Sequence, residues 1–198
     1  MPQISESKEE REIITVAERF FDTLGVDNTS IADIAYELNI PPSDLYRLYL
    51  SKHEIVEAVG RRLLAETEHA ADVIVKRRTP AQKGPGREKL KAAISAVRDS
   101  HVNRLNSHLK LHELLKIAFD EKWLIVEQHV QALEKLLAEI ILQGNIDGEF
   151  DVDDTELAAM LVRSSCIRFC DPRLIAESVR DVTPTLDQVI SFCILGLS

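Results

Sequence analysis

Three histidines fall on an otherwise apolar helical stripe formed by Leu90, Ile94, Val97, His101, His108, His112, Leu115 and Phe119. Imidazole in such a place serves one of three ends: a hydrogen-bonded core or interface side chain, a polar group lining a small-molecule pocket, or a metal ligand. His108 and His112 have the i, i+4 ligand spacing, but no cysteine stands near them. Cys166 and Cys170 share that spacing and are a second metal candidate. With Cys193 they make three cysteines, an odd number in a long chain without a secretion signal, which reads more simply as reduced core thiols. No nucleophile and base stand beside the histidines, so these side chains offer recognition and not enzymatic catalysis. A second polar group lies in NIPPSDLYRLYLSKHEI, residues 39–55, where Pro42, Ser43, Asp44 and Arg47 alternate with Leu45 and Tyr49. Leu45 and Tyr49 at i, i+4 face inward on a short helix and leave the intervening positions on its outer surface.

The elements that must hold these residues are helices. Hydrophobic residues make up 45% of the 198, charged residues 29% and aromatics 5%, with only 7 Gly and 7 Pro; that balance supports a real core and an all-α fold. Ile13, Ile14, Ala17, Phe20, Phe21 and Leu24 form a first stripe that Gly25 ends. Ser30 with Asp33 is a capping box for a second helix carrying Ile31, Ile34, Ala35 and Leu38. Asn39 suits a left-handed stop, and Pro42 suits the first position of a third helix. Ser51 and Glu54 form another capping box, opening a long amphipathic helix that runs to about residue 78.

The stretch 76–89, with its prolines, glycines and basic residues, reads as an exposed loop. Beyond it the periodicity predicts helices at 87–119 (with 103 as a candidate break), 121–143, 153–169 and 184–197. The N-terminus is polar, and no run approaches the roughly 18 apolar residues of a membrane span, so a cytosolic protein with no membrane partner is expected.

Two short helices joined by a tight turn, with Ala35, Asn39 and Ile40 at its corners, form the pattern of a helix-turn-helix whose second helix enters the major groove. Charge argues the other way. The chain carries a net −9, and residues 1–60 hold five basic against twelve acidic residues, whereas nucleic-acid binders usually show a basic face.

The order and spacing of Gly25, Thr29-Ser30, Ile34-Ala35, Leu45-Tyr46, Tyr49 and Ser51-Lys52 resemble the DNA-binding domain of the tetracycline-repressor (TetR/AcrR-type) family of bacterial transcriptional regulators, over about the first quarter of the chain. The resemblance implies a three-helix helix-turn-helix domain over 1–52 and a helical ligand-binding and dimerisation domain over 53–198. It implies a homodimer that binds a palindromic double-stranded operator, most simply as a repressor, and is released by a small-molecule effector without a cofactor. Residue by residue, it assigns Thr29 or Ser30, Tyr46 and Lys52 to phosphates, leaving Pro42, Ser43, Asp44 and Arg47 for base edges. There Arg47 can bond guanine twice and Asp44 can accept from a cytosine amino group.

The chain departs from the family pattern at Asn39 in place of the turn glycine, at Pro41 in place of a Ser cap, and at Leu48 in place of a His or Tyr phosphate donor. Helix N-termini at Ser30, Pro42 and Ser51 offer compensating N–H groups. On the effector side the resemblance requires a pocket, for which His101, Leu105, His108, His112 and Trp123 are the expected lining. The final two helices, with Leu157, Ala158, Leu161, Ser165, Leu186, Val189, Ile190 and Ile194, would pair with those of a two-fold mate. Two rivals stand beside this reading: a helical small-molecule or protein-binding module whose DNA domain has lost its function, and a metal-dependent enzyme built on the three histidines.

Overall fold

A computed structural model describes residues 7–76, 86–179 and 183–198. Within them the chain is helical, with no strand: α1 (Lys8–Leu24), α2 (Ile31–Glu37), α3 (Pro42–Leu48), α4 (Lys52–Lys76), α5 (Gly86–Ser107), α6 (Leu109–Asp120), α7 (Leu124–Ile146), α8 (Thr155–Ser165), α9 (Ile167–Cys170), α10 (Ile175–Ser178) and α11 (Leu186–Gly196). Local chemistry sets most of the boundaries. Capping boxes open α1 (Ser7 with Glu10), α2 (Ser30 with Asp33) and α11 (Thr185 with Gln188), each satisfying N–H groups that the first turn leaves free. Gly25 ends α1 at φ 89°, and Asn39 takes the left-handed conformation at φ 57° between α2 and α3. Pro42 is the first residue of α3, where a missing N–H costs nothing.

Three expectations are corrected. Ser51 accepts from the Glu54 N–H at 3.3 Å, but the Glu54 carboxylate reaches back to the N–H of Leu50, not Ser51, at 2.8 Å; the cap of α4 is one residue wider than a capping box. The long helix expected over 87–119 breaks at His108, not near 103. The helix expected over 153–169 ends at Ser165, with α9 and α10 as single turns before α11. The loop expected at 76–89 falls for the most part outside the described residues.

The buried apolar side chains form two clusters. One gathers α1–α3, the first half of α4, and Leu111, Leu114, Leu115, Ala118, Phe119, Ile125 and Val126 of α6 and α7. The other gathers Ala71 of α4, Leu90, Ala93, Ile94 and Val97 of α5, Leu133, Leu136, Leu137, Ile140 and Ile141 of α7, and the inner faces of α8 and α11. Where they meet, the buried residues turn polar: Thr67 on α4, His101 and Arg104 on α5, His112 on α6 and His129 on α7. Arg104 donates to the Leu63 carbonyl at 2.6 Å and the Thr67 hydroxyl at 2.9 Å, and lies 3.4 Å from the Glu66 carboxylate. His129 Nδ1 lies 2.7 Å from the Glu68 carboxylate. His101 is fully enclosed and neither of its ring nitrogens has a partner.

At the far end of the second cluster, α7 finishes against Phe150. A Cβ on Gly144 would stand 2.2 Å and 2.5 Å from the Phe150 ring, whereas one on Gly196 meets nothing within 4 Å. Gly144→Ala is therefore expected to destabilise by about 1–3 kcal/mol in urea unfolding through overpacking, with Gly196→Ala showing no loss.

A second prediction concerns pH. Burial, aided by the charges of Arg104, His129 and His112, lowers the His101 pKa from 6.5 to about 3. Between those values the unfolded chain binds a proton that the folded one refuses, so this contribution to stability is present above pH 6.5 and is lost as pH falls toward 3. The urea midpoint should drop between about pH 7.5 and pH 5, and His101→Phe should flatten that drop.

Candidate nucleic-acid interface and effector region

The α2–α3 turn is closed by backbone bonds from Asn39 N–H to Tyr36 O and from Ile40 N–H to Ala35 O. Ala35 and Leu45 are fully buried beneath it, with Leu48 and Tyr49 partly buried alongside. That inner face leaves Pro42, Ser43, Tyr46 and Arg47 exposed on α3, with Asp44 half-buried. Ser30, Tyr46 and Lys52 come together on a cleft of about 620 Å³, together with Thr29, Asp33 and Leu50. Side chains from two helix starts, those of α2 and α4, and from the middle of α3 thus converge, although Ser30 and Lys52 stand 22 positions apart in the chain.

The hydroxyls of Thr29 and Ser30 are already engaged. Thr29 is buried and donates to the Gly25 carbonyl at 2.9 Å. Ser30 donates to Asp33 Oδ2 at 2.6 Å while accepting the Asp33 N–H at 3.1 Å. Asp33 emerges as more than a cap. The Ser30 hydroxyl and N–H, helped by the charge of Lys52, hold its carboxyl below the usual range, so an anion persists in the cleft beside Lys52.

A polar seam joins this head to the rest of the chain. His108 Nδ1 is 2.8 Å from Asp22 of α1. The Lys110 ammonium donates to the Thr23 carbonyl, and Arg62 of α4 donates to the Thr15 hydroxyl at 2.8 Å and lies 3.3 Å from Glu18. A cleft of about 510 Å³ runs along the seam, with Asp22, Arg62, Glu66, Arg104 and His108 in its walls.

The five residues expected around an effector do not share one cavity. His108 is the residue before α6, at φ −138°, so its ring leaves the stripe and turns to α1. Trp123 stands before α7, donates to Glu121 at 2.8 Å, packs edge-on to His53 with ring centroids 5.0 Å apart, and lines a separate cleft with Lys52. Leu105 is half-buried on α5. His101 and His112 remain in the interior, where His112 Nδ1 also has no partner.

Arg104 and His129 were not singled out from the sequence. Arg104 sits three residues beyond His101 on the same stripe, a signal masked by the usual exposure of arginine. One helical turn from His101 on α5 and His129 on α7, a mainly apolar cavity of about 30 Å³ is bounded by Ala71, Val97, Leu133, Arg163, Cys166 and Cys170. Burial raises the thiol pKa of both Cys166 and Cys170, the latter to about 12, which keeps them protonated and unreactive. Among the described residues no group of three or more His, Cys, Asp or Glu could hold a metal ion.

Comparison with known proteins agrees with this geometry. Residues 13–59 match the family model described as bacterial regulatory proteins, tetR family, and residues 86–190 match that of the tetracyclin repressor-like C-terminal domain. No curated protein matches in sequence. Among solved structures, a transcriptional regulator from Cytophaga hutchinsonii is similar at 16% identity and a TM-score of 0.67, with 96% of this chain and 99% of that one covered. FadR from Bacillus subtilis, solved with stearoyl-CoA, is similar at 16% identity and 0.62, covering 95% and 99%. A TetR/AcrR-family regulator from Thermobifida fusca aligns at 18% identity and 0.61, covering 96% and 97%. The shared fold, the helix-turn-helix and the two family matches, one of which alone spans more than half of its length, place this chain in the tetR family of bacterial transcriptional regulators.

Proposed function

We propose that the protein is a ligand-responsive repressor that binds a palindromic operator as a homodimer in the cytoplasm and is released by a small-molecule effector. In this reading residues 1–52 meet DNA and residues 53–198 bind the effector and the partner subunit. The observation that carries it is the convergence of Ser30, Tyr46 and Lys52 on one cleft beside an α3 whose Pro42, Ser43 and Arg47 are free to enter a groove. Lys52 and the Tyr46 hydroxyl then hold phosphates and set register, while Arg47 and Asp44 read base edges. Because the hydroxyls of Thr29 and Ser30 are spent inside the protein, those two positions contribute through the backbone or by exchanging partners.

Dimerisation is supported by an outward apolar face on α8 and α11. Leu157, Met160 and Leu161 are about half exposed or more, and Phe192 and Leu195 are each 76% exposed. Ala158 and Ile190, by contrast, are buried in the chain's own core, and Leu186, Val189 and Ile194 pack against it, so the outward set is narrower than the composition of these helices suggests. Two such faces about a two-fold axis would place the two α3 helices at successive major grooves.

For signalling, the lever is α6. Its Leu111, Leu114 and Leu115 belong to the same core as the head, and His108 and Lys110 at its start hold α1. An effector that shifts α6 shifts the head with it, and the shift equals its differential affinity for the two arrangements. That FadR is solved with stearoyl-CoA supports a small-molecule effector for a chain of this shape.

The rival reading, a binding module with a silenced DNA face, draws on the acidic head and on Asp33 within the cleft. Operator affinity at low and high salt separates the two, since real phosphate contacts give a steep salt dependence. Lys52→Ala is expected to weaken all DNA sequences alike, and Arg47→Ala to cost about 1–3 kcal/mol at one operator position while relaxing specificity there, both read by fluorescence anisotropy. If neither substitution changes binding to the protein's own promoter region, α3 does not enter the groove as proposed. Phe192→Glu should yield a monomer in sedimentation velocity with operator affinity at least tenfold weaker; a wild type already monomeric at micromolar concentration would remove the dimer.

A further inference from the structure

Among the described residues three buried nitrogens lack partners: both ring nitrogens of the fully enclosed His101, and Nδ1 of His112. A buried polar atom left unpaired costs about 1–3 kcal/mol, so their retention in the middle of an all-α core calls for a polar partner that the described residues do not supply. Arg104 does not supply it, since its guanidinium is committed to Leu63, Thr67 and Glu66. His129 is likewise turned to Glu68.

The surroundings specify what would. The small apolar cavity is walled by Ala71, Val97 and Leu133. One turn along the same helices, toward the head, stand Thr67, His101 and His129, so an apolar compartment ends on a polar layer. Neutral imidazole presents one N–H donor and one acceptor nitrogen. A carboxylate only accepts, and the cations beside it among the described residues are already matched, Arg104 as above and Arg163 at the cavity wall by Glu134 at 2.7 Å. An ammonium only donates and would face Arg104. A hydroxyl does both: it accepts from one ring N–H and donates to another ring's lone pair.

Resting on the effector reading above, we propose that His101 and His112 bind the hydroxyl of a small, mainly apolar alcohol or phenol, whose hydrocarbon body occupies the adjacent space among Ala71, Ala93, Val97 and Leu133. As it stands that space, about 30 Å³, is far below the roughly 150 Å³ of a dry cavity that admits benzene, and no ring enters it unless α5 and α7 part. Binding therefore selects a more open arrangement, and because His112 rides on α6, opening moves the helix that carries the head.

The test uses phenol and cyclohexanol as probes, with toluene and benzoate as counterparts lacking a neutral hydroxyl, on the full-length protein. Imidazole ¹⁵N resonances and calorimetry are the readouts. Phenol or cyclohexanol should bind saturably, at least tenfold tighter than toluene and benzoate, and shift the ring nitrogens of His101 and His112. In His101→Phe the tenfold preference for the hydroxyl should vanish while any toluene binding persists; His112→Phe serves the same purpose if the first variant does not fold. If neither hydroxyl probe binds at millimolar concentration, or if binding leaves the ring nitrogens unmoved, the layer holds only water and the proposal falls. Operator binding is measured separately on the same protein. A chain that binds its operator and answers to benzoate or toluene instead loses the hydroxyl class but keeps the regulator reading, whereas one that binds phenol but no DNA keeps the site and loses the regulator.

Discussion

The Arg104 guanidinium, buried between α5 and α4 and held by the Leu63 carbonyl and the Thr67 hydroxyl, fixes the frame of this molecule. A buried cation carries a desolvation cost of several kcal/mol and is tolerated only in good geometry with its hydrogen bonds made. Its position therefore dictates the registry of the two helices that contact each other most, and it does so where one hydrophobic cluster gives way to the other. Hydrophobic burial is non-directional; a guanidinium aimed at one carbonyl and one hydroxyl adds a direction to the contact between α5 and α4.

From that registry the layout of the rest follows. With α4 and α5 locked, His101 and His129 face the same layer, and α6 folds back to carry its apolar side into the core of the head. The head is consequently not a bead on a string. Gly60 lets α4 approach so closely that a Cβ there would stand 3.0 Å from Ile125, and the seam formed by Asp22–His108, Thr23–Lys110 and Arg62–Glu18 adds polar directionality to the apolar contact. In the proposed reading, a head that meets DNA and answers to a distant effector needs a contact of this kind, firm enough to transmit movement yet rich in partners that can be exchanged.

Much of the head was legible because its signals are local. Ser30 with Asp33, Asn39 at a left-handed turn and Pro42 at a helix start each act within four residues, so their structural meaning survives without knowledge of the fold. The stripe of histidines was legible only as a stripe. Its periodicity held through His101 but failed at His108, where the helix breaks and the ring pairs with a carboxylate 86 residues away. A 3.6-residue period says which side of a helix is covered, not what covers it.

The sequence by itself determined the all-α class, the helix-turn-helix with its capping and turn residues, and the family to which that motif points, because these depend on short-range sterics and hydrogen bonding. Only the tertiary structure decided that Arg104 is interior, that His101 and His112 are left with unpaired nitrogens while His108 is not, that Asp33 shares a cleft with Lys52, and that the outward apolar face narrows to parts of α8 and α11. Each of those outcomes is a contact between residues far apart in the chain, and the burial that gives a polar group its energetic weight exists only once the helices have packed.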